Sequence, residues 1–287
     1  MQKNPNNPIG VFDSGVGGLT VLKEIIKELP DENIIYFGDT ARVPYGPRSS
    51  DTVVKYTFQS INFLLEKGIK AIVIACNTAS ARSLEKARER YNVPILGVIE
   101  PGARTAVGIT KNSKIGVIGT EGTIGSKAYD NFMLKSNSEL EIFSKPCPLF
   151  VPIVEEGWSD TDIAYLTAQK YLLELRKTGI DTLVMGCTHY PLLNNTIQKV
   201  MGDEVRLVNP ARETAKDLRE LLEKEEILNV SENSPYFRYY VSDQPSKFIK
   251  IGEVNHNSEL QNHTWVDNSY TVDGGGVPYY RYRVTSE

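Results

Sequence analysis

Eight short apolar runs recur along this chain of 287 residues, and none of them alternates with polar residues. They are IGVF at 9–12, NIIYF at 33–37, AIVIA at 71–75, PILGVI at 94–99, KIGVI at 114–118, LEIF at 140–143, TLVMG at 182–186 and VRLV at 205–208. Runs this short, rich in Ile and Val, read as strands covered on both faces, the habit of parallel sheets. Between several of them lie helix-spaced stretches. Residues 17–28 put Leu19, Leu22, Ile25 and Ile26 on one stripe, and residues 51–67 do the same with Val54, Phe58, Ile61, Leu64 and Leu65. Residues 162–177 and 213–226 are also helical by spacing and charge. Strand alternating with helix implies an α/β fold of mostly parallel sheets flanked by helices.

The chain also repeats itself. Ile9-Gly10-Val11-Phe12-Asp13-Ser14 resembles Ile115-Gly116-Val117-Ile118-Gly119-Thr120, and Ile72-Val73-Ile74-Ala75-Cys76-Asn77-Thr78 resembles Leu183-Val184-Met185-Gly186-Cys187-Thr188-His189. The offsets are nearly equal, so two similar α/β halves are expected rather than one large domain. Each half carries a cysteine at the end of a strand, ahead of a helix-compatible stretch (77–90 and 190–201). Ligands of open α/β sheets bind beyond the carboxyl ends of strands. Backbone N–H groups and the helix dipole favour an anion there. The same field is expected to lower a thiol from its free pKa of about 8.5. If the halves face each other, Cys76 and Cys187 face one cleft.

Composition narrows the classes. Lys plus Arg is 32 against 36 Asp plus Glu, a net charge of −4. That balance supplies neither the basic face of a nucleic-acid binder nor a polybasic membrane patch. No apolar run approaches the roughly 20 residues that span a bilayer, and the polar start MQKNPNNP lacks the apolar core of a signal peptide. Three cysteines make a poor disulfide framework. The expectation is a soluble, cytoplasmic protein with free thiols. Cys147, in Lys145-Pro146-Cys147-Pro148, belongs to neither matched pair and has no expected helix after it, so it reads as structural. Three scattered histidines and three scattered cysteines lack zinc spacing. The glycines of Ser14-Gly15-Val16-Gly17-Gly18-Leu19-Thr20 miss the dinucleotide fingerprint, because position 20 is Thr, and no Gly-Lys-Ser/Thr phosphate loop occurs. They fit a tight strand-to-helix turn.

Two thiols on opposite sides of a ligand suggest proton traffic. Racemisation at a carbon needs a base on one face and an acid on the other, and a thiol/thiolate pair can exchange those roles. The carbanion-like state also needs its carboxylate held by preorganised donors.

Six segments carry a resemblance to the glutamate racemases, the cofactor-independent enzymes of the aspartate/glutamate racemase family. They are Phe12-Asp13-Ser14-Gly15-Val16-Gly17-Gly18-Leu19-Thr20, Gly38-Asp39-Thr40-Ala41-Arg42-Val43-Pro44-Tyr45-Gly46, Ala75-Cys76-Asn77-Thr78-Ala79-Ser80, Gly97-Val98-Ile99-Glu100-Pro101-Gly102, Val151-Pro152-Ile153-Val154-Glu155-Glu156-Gly157 and Gly186-Cys187-Thr188-His189-Tyr190-Pro191. They span roughly residues 8 to 252 in family order. The resemblance implies Cys76 and Cys187 as proton donor and acceptor, with Asp13 beside the first and His189 beside the second. It implies Glu155 as a further acid/base helper, with Glu156 the neighbouring ambiguity. Ser14, Tyr45, Gly46, Asn77, Thr78, Thr120, Thr123 and Thr188 are the implied substrate contacts, along with Asp13 and His189. It also implies two pseudo-symmetric domains, residues 1–100 with about 212–252 and residues 101–211. Glutamate as substrate, no cofactor, no metal, a homodimer and a supply of D-glutamate for peptidoglycan complete the expectation.

Plainer roles remain open for single residues. Asp13 or Ser14 can cap the helix after it, Glu155-Glu156 can be a solvated pair, and Tyr45-Gly46 can be a turn. An aspartate racemase is the alternative activity, and restraint of DNA gyrase is a side role the family suggests without a basic face here to support it. Residues 253–287 depart from the family: a polar, then Gly-rich, then Tyr/Arg-rich extension, expected to be flexible or strand-like, with His256 and His263 as surface residues.

Overall fold

The computed structural model describes residues 4–250 except 244 and 247, together with the backbone of residues 264–272 and 278–285. His256 and His263 lie outside the described residues.

The chain begins with strands β1 (Ile9–Asp13), β2 (Ile34–Gly38), β3 (Ala71–Ile74) and β4 (Ile95–Gly97), alternating with helices α1 (Leu19–Glu28), α2 (Ser50–Glu66) and α3 (Asn77–Arg90). It then passes through α4 (Ile99–Ile109) into β5 (Lys114–Gly119), α5 (Glu121–Ser126), α6 (Ala128–Ser136) and β6 (Glu141–Pro146). Next come α7 (Phe150–Glu155), α8 (Asp162–Lys177), β7 (Thr182–Gly186), a 3₁₀ turn (Tyr190–Leu193), α9 (Asn194–Met201) and β8 (Arg206–Val208). Helix α10 (Pro210–Lys224) and strand β9 (Phe237–Val241) return to the first sheet. Strands β10 (Thr264–Val272) and β11 (Pro278–Thr285) follow.

The repeat is visible in the topology. The first sheet runs β10-β11-β9-β2-β1-β3-β4, parallel from β9 to β4, and the second runs β6-β5-β7-β8, parallel throughout. β1 and β5 occupy the same central place, as do β3 and β7, the strands that deliver Cys76 and Cys187. Each sheet has apolar helices on both faces. The first packs α1 and α10 on one side and α2 and α3 on the other. The second packs α7, α8 and α9 on one side and α4 and α6 on the other. This double burial is why the strands read as unbroken apolar runs.

Helix starts follow local chemistry. Ser49 and Thr161 accept hydrogen bonds from the N–H groups of Thr52 and Ala164. Asn209 accepts from Ala211 with Pro210 in the first turn, as capping requires.

The structure corrects three expectations. Only 95–97 of the fourth run is strand, and Val98 and Ile99 already open α4. The stretch 190–201 is not one helix: Pro191 sits in a 3₁₀ turn and α9 begins at Asn194. Cys147 does lie within the repeat, because its N–H bonds to Gly119 at the end of β5 as that of Asp39 bonds to Asp13 at the end of β1. A short helix, α7, also follows it. The extension is strand-like in part, one of the two forms expected of it: β11 runs antiparallel to β9, and β10 antiparallel to β11.

Candidate active site

The carboxyl ends of the two sheets meet across a cleft with about 410 Å³ of empty space. Ser14, Tyr45, Gly46, Cys76, Asn77 and Thr78 line it from the first half, and Thr120, Glu155, Cys187, Thr188 and His189 from the second. Asp13 and Thr123 lie behind this lining. Val43, Pro44 and Val151 also face the cleft. The sequence does not single them out, since an apolar side chain carries no chemical mark. The cleft opens onto a wider, mostly apolar mouth of about 870 Å³ that adds Pro47, Glu121, Pro148 and Pro152.

On the first side, Cys76 caps α3, and its Sγ accepts from the Ala79 N–H at 3.5 Å. Ser14 Oγ lies 3.5 Å from the same sulfur. Both contacts favour the thiolate, in the direction the strand-end position implies. Burial and the nearby Asp13 carboxylate act the other way and win, so the thiol is pushed up to about 12. The expected lowering is therefore overturned for Cys76: a helix N-terminus helps an anion, but removing it from water beside another anion costs more. Asp13 is fully buried. Its own carboxyl is raised by that burial, against the pull of His189 and of backbone N–H groups. The Gly15 N–H donates to Oδ2 at 3.0 Å, while Oδ1 has no hydrogen-bond partner among the described residues. Asp13 does not cap α1, whose N-cap is Gly18 without a side-chain bond.

On the second side, Cys187 Sγ lies 3.8 Å from His189 Nδ1, and His189 Nε2 lies 3.3 Å from Glu155 Oε1. Burial alone would lower the imidazole. Hydrogen bonds to Cys187 and Glu155 outweigh it, and the ring is raised to about 10. Glu155 closes α7 and points into the cleft, whereas Glu156 is exposed.

Hydroxyl groups stitch the halves together. Thr78 Oγ1 lies 2.8 Å from Thr120 Oγ1 and 3.4 Å from Thr123 Oγ1, and Tyr129 donates to Asn77 Oδ1 at 2.8 Å. Thr120 also caps α5 by accepting from the Thr123 N–H. Tyr45 donates to the buried Asp39, which also accepts from Ser242 at 2.9 Å and pairs with Arg42 at 2.6 Å. This network holds the turn that presents Tyr45 and Gly46. Gly46 itself must be small, since a Cβ there would come within 2.9 Å of the Thr120 side chain.

Cys147 is fully buried in the core of the second half, outside the cleft lining. Burial raises its thiol strongly. Among the described residues no cluster of His, Cys, Asp or Glu could hold a metal ion, and no helix is long and apolar enough to cross a membrane.

Comparison with known proteins fits this geometry. The family model described as Asp/Glu/Hydantoin racemase matches residues 9–218. A glutamate racemase of Geobacter metallireducens is 53% identical over 248 residues, covering 86% of this chain and 92% of that protein. The crystal structure of glutamate racemase isoform RacE1 from Bacillus anthracis superposes with a TM-score of 0.84 at 44% identity, covering 87% of this chain and 94% of that one. The glutamate racemase of Francisella tularensis in complex with D-glutamate gives a TM-score of 0.83 at 41% identity, covering 89% and 95%. The chain, with its doubled sheets and facing thiols, belongs to the Asp/Glu/hydantoin racemase family and, within it, to the glutamate racemases.

Proposed function

We propose that this racemase interconverts L- and D-glutamate by passing protons through Cys76 and Cys187. The observation that carries the reading is the pair of strand-end sulfurs lining one cleft from opposite halves, each with its own acid/base neighbour. Cys187 deprotonates the L enantiomer with the His189 imidazolium as its counter-charge. Cys76, which holds its proton in the free protein, delivers it from the other face. In the reverse direction Cys76 is the base. Its proton passes toward Asp13, and the cationic α-ammonium of the substrate favours the thiolate once bound. Ser14, the Tyr45–Gly46 turn, Asn77, Thr78, Thr120 and Thr188 supply donors for the two carboxylates, with Thr123 holding the hydroxyl cluster from behind. Glu155 keeps His189 charged. No cofactor enters this scheme.

We take residues 1–100 with about 212–252 as one domain and 101–211 as the other, the protein as a cytoplasmic homodimer, and its product as D-glutamate for peptidoglycan. Purified protein with L-glutamate and no added cofactor should lose optical rotation toward the racemate, with L-aspartate turned over far more slowly. Absence of Cα exchange in heavy water would refute the activity. Faster turnover of aspartate would move the substrate assignment.

A further inference from the structure

We infer that Thr20 is a positioning residue that seats the Cys187 loop against the first half of the molecule; this rests on the two-thiol reading above. Thr20 lies in the first turn of α1 and is buried. Its hydroxyl has the ordinary local acceptor of a helical threonine, the Gly17 carbonyl, at 2.9 Å. It has a second acceptor at the same distance, the carbonyl of Thr188, which is 168 residues away between Cys187 and His189. The surface it reaches across is closely fitted. A Cβ on Gly17 would come within 2.4 Å of Thr188 Oγ1 and 2.5 Å of His189 Nδ1. Two acid/base neighbourhoods meet here, since His189 acts on the charge of Asp13. The seat therefore sets where the Cys187 side stands relative to the Cys76 side, and proton transfer is steep in that distance.

The test pairs Thr20→Val, which keeps the shape and removes the donor, with Thr20→Ser, which keeps the donor. Thr20→Val should lower kcat/KM for glutamate by about five- to tenfold, the worth of one positioning hydrogen bond. The loss must be equal in both directions because the equilibrium constant of a racemase is one. Thr20→Ser should stay within about twofold of the parent. The decisive readout is the Cα-deuterium isotope effect on kcat/KM. Misplacing Cys187 makes its own transfer more rate-limiting. The effect should therefore rise for the enantiomer that Cys187 deprotonates and fall for the other. Isotope effects that stay put or move together, or a Thr20→Ser as impaired as Thr20→Val, would overturn the proposal. If Thr20→Val does not fold, Thr20→Ala carries the same prediction. A parent that exchanges no Cα proton would refute the two-thiol reading itself, a separate outcome.

Discussion

The two thiols occupy matching places in matching sheets, yet their surroundings differ in sign. Around Cys76 the neighbours are a helix N-terminus, the Ser14 hydroxyl and the buried carboxylate of Asp13. Around Cys187 they are an imidazole and Glu155, with a 3₁₀ turn in place of a helix end. Burial and the carboxylate behind Cys76 keep the proton on it, while the imidazole beside Cys187 is itself raised. A duplicated fold thus supplies two equivalent positions, and in the proposed scheme the local residues divide the acid and base roles between them. A reversible two-base reaction needs that asymmetry: both sulfurs cannot start protonated, nor both ionised.

The largest expected effect tests whether both positions are needed at all. Cys76→Ala and Cys187→Ala should each abolish measurable racemisation, while Cys147→Ala should keep near-parental turnover. Full turnover in either of the first two would break the pairing, and loss in the third would extend it to the core.

Next come the neighbours that set the asymmetry. Asp13→Asn and His189→Asn should each lower kcat/KM by about 10²- to 10³-fold, the lower part of the span for general acid–base groups. Their Cα-deuterium isotope effects, measured separately with the L and D enantiomers, should shift in opposite senses. A common shift would show that the neighbours do not belong to different thiols.

A smaller effect is expected at Glu155. Glu155→Gln should lower kcat/KM by about tenfold, a loss within reach of one partly buried helper. It should also bring the high-pH limb of the rate profile down, because His189 loses a partner that holds its proton. Glu156→Gln should leave both unchanged, and a reversal of the two would reassign the helper.

The smallest signal is in stability. The fold raises His189 from 6.5 to about 10, so its contribution is whole below pH 6.5 and is lost as pH climbs through about 10. The fold also raises Cys76 from 9.0 to about 12, and that contribution is lost between those values. Tm should therefore fall between pH 7 and 10, and His189→Asn should flatten the first part of the fall.

Much of this site is legible in the amino-acid sequence. The duplication marks Cys76 and Cys187 because strand ends are local features and a repeat offset can be counted. The adjoining Asn77-Thr78 and Thr188-His189 are visible for the same reason. What stays hidden is tertiary. The raised thiol of Cys76 depends on burial and on Asp13, which lies on a different strand. The clamp on Tyr45 uses Ser242, and the seat of Cys187 uses Thr20, both joined to their partners only by folding. Cys147 stands apart from the repeat in sequence because its segment shares no wording with that of Asp39, although its backbone takes the same place. The 3₁₀ turn at 190–193 has a signal in Pro191, which helical spacing alone does not register.

In the proposed scheme protons leave and arrive through different groups on opposite faces. The scheme is tested most directly by running L-glutamate with the parent protein in heavy water and stopping while little product has formed. The new D-glutamate should carry deuterium at Cα while the remaining L-glutamate carries almost none. Deuterium entering recovered L-glutamate as fast as product forms, or product that keeps its original protium, would mean that one group serves both faces and would contradict it.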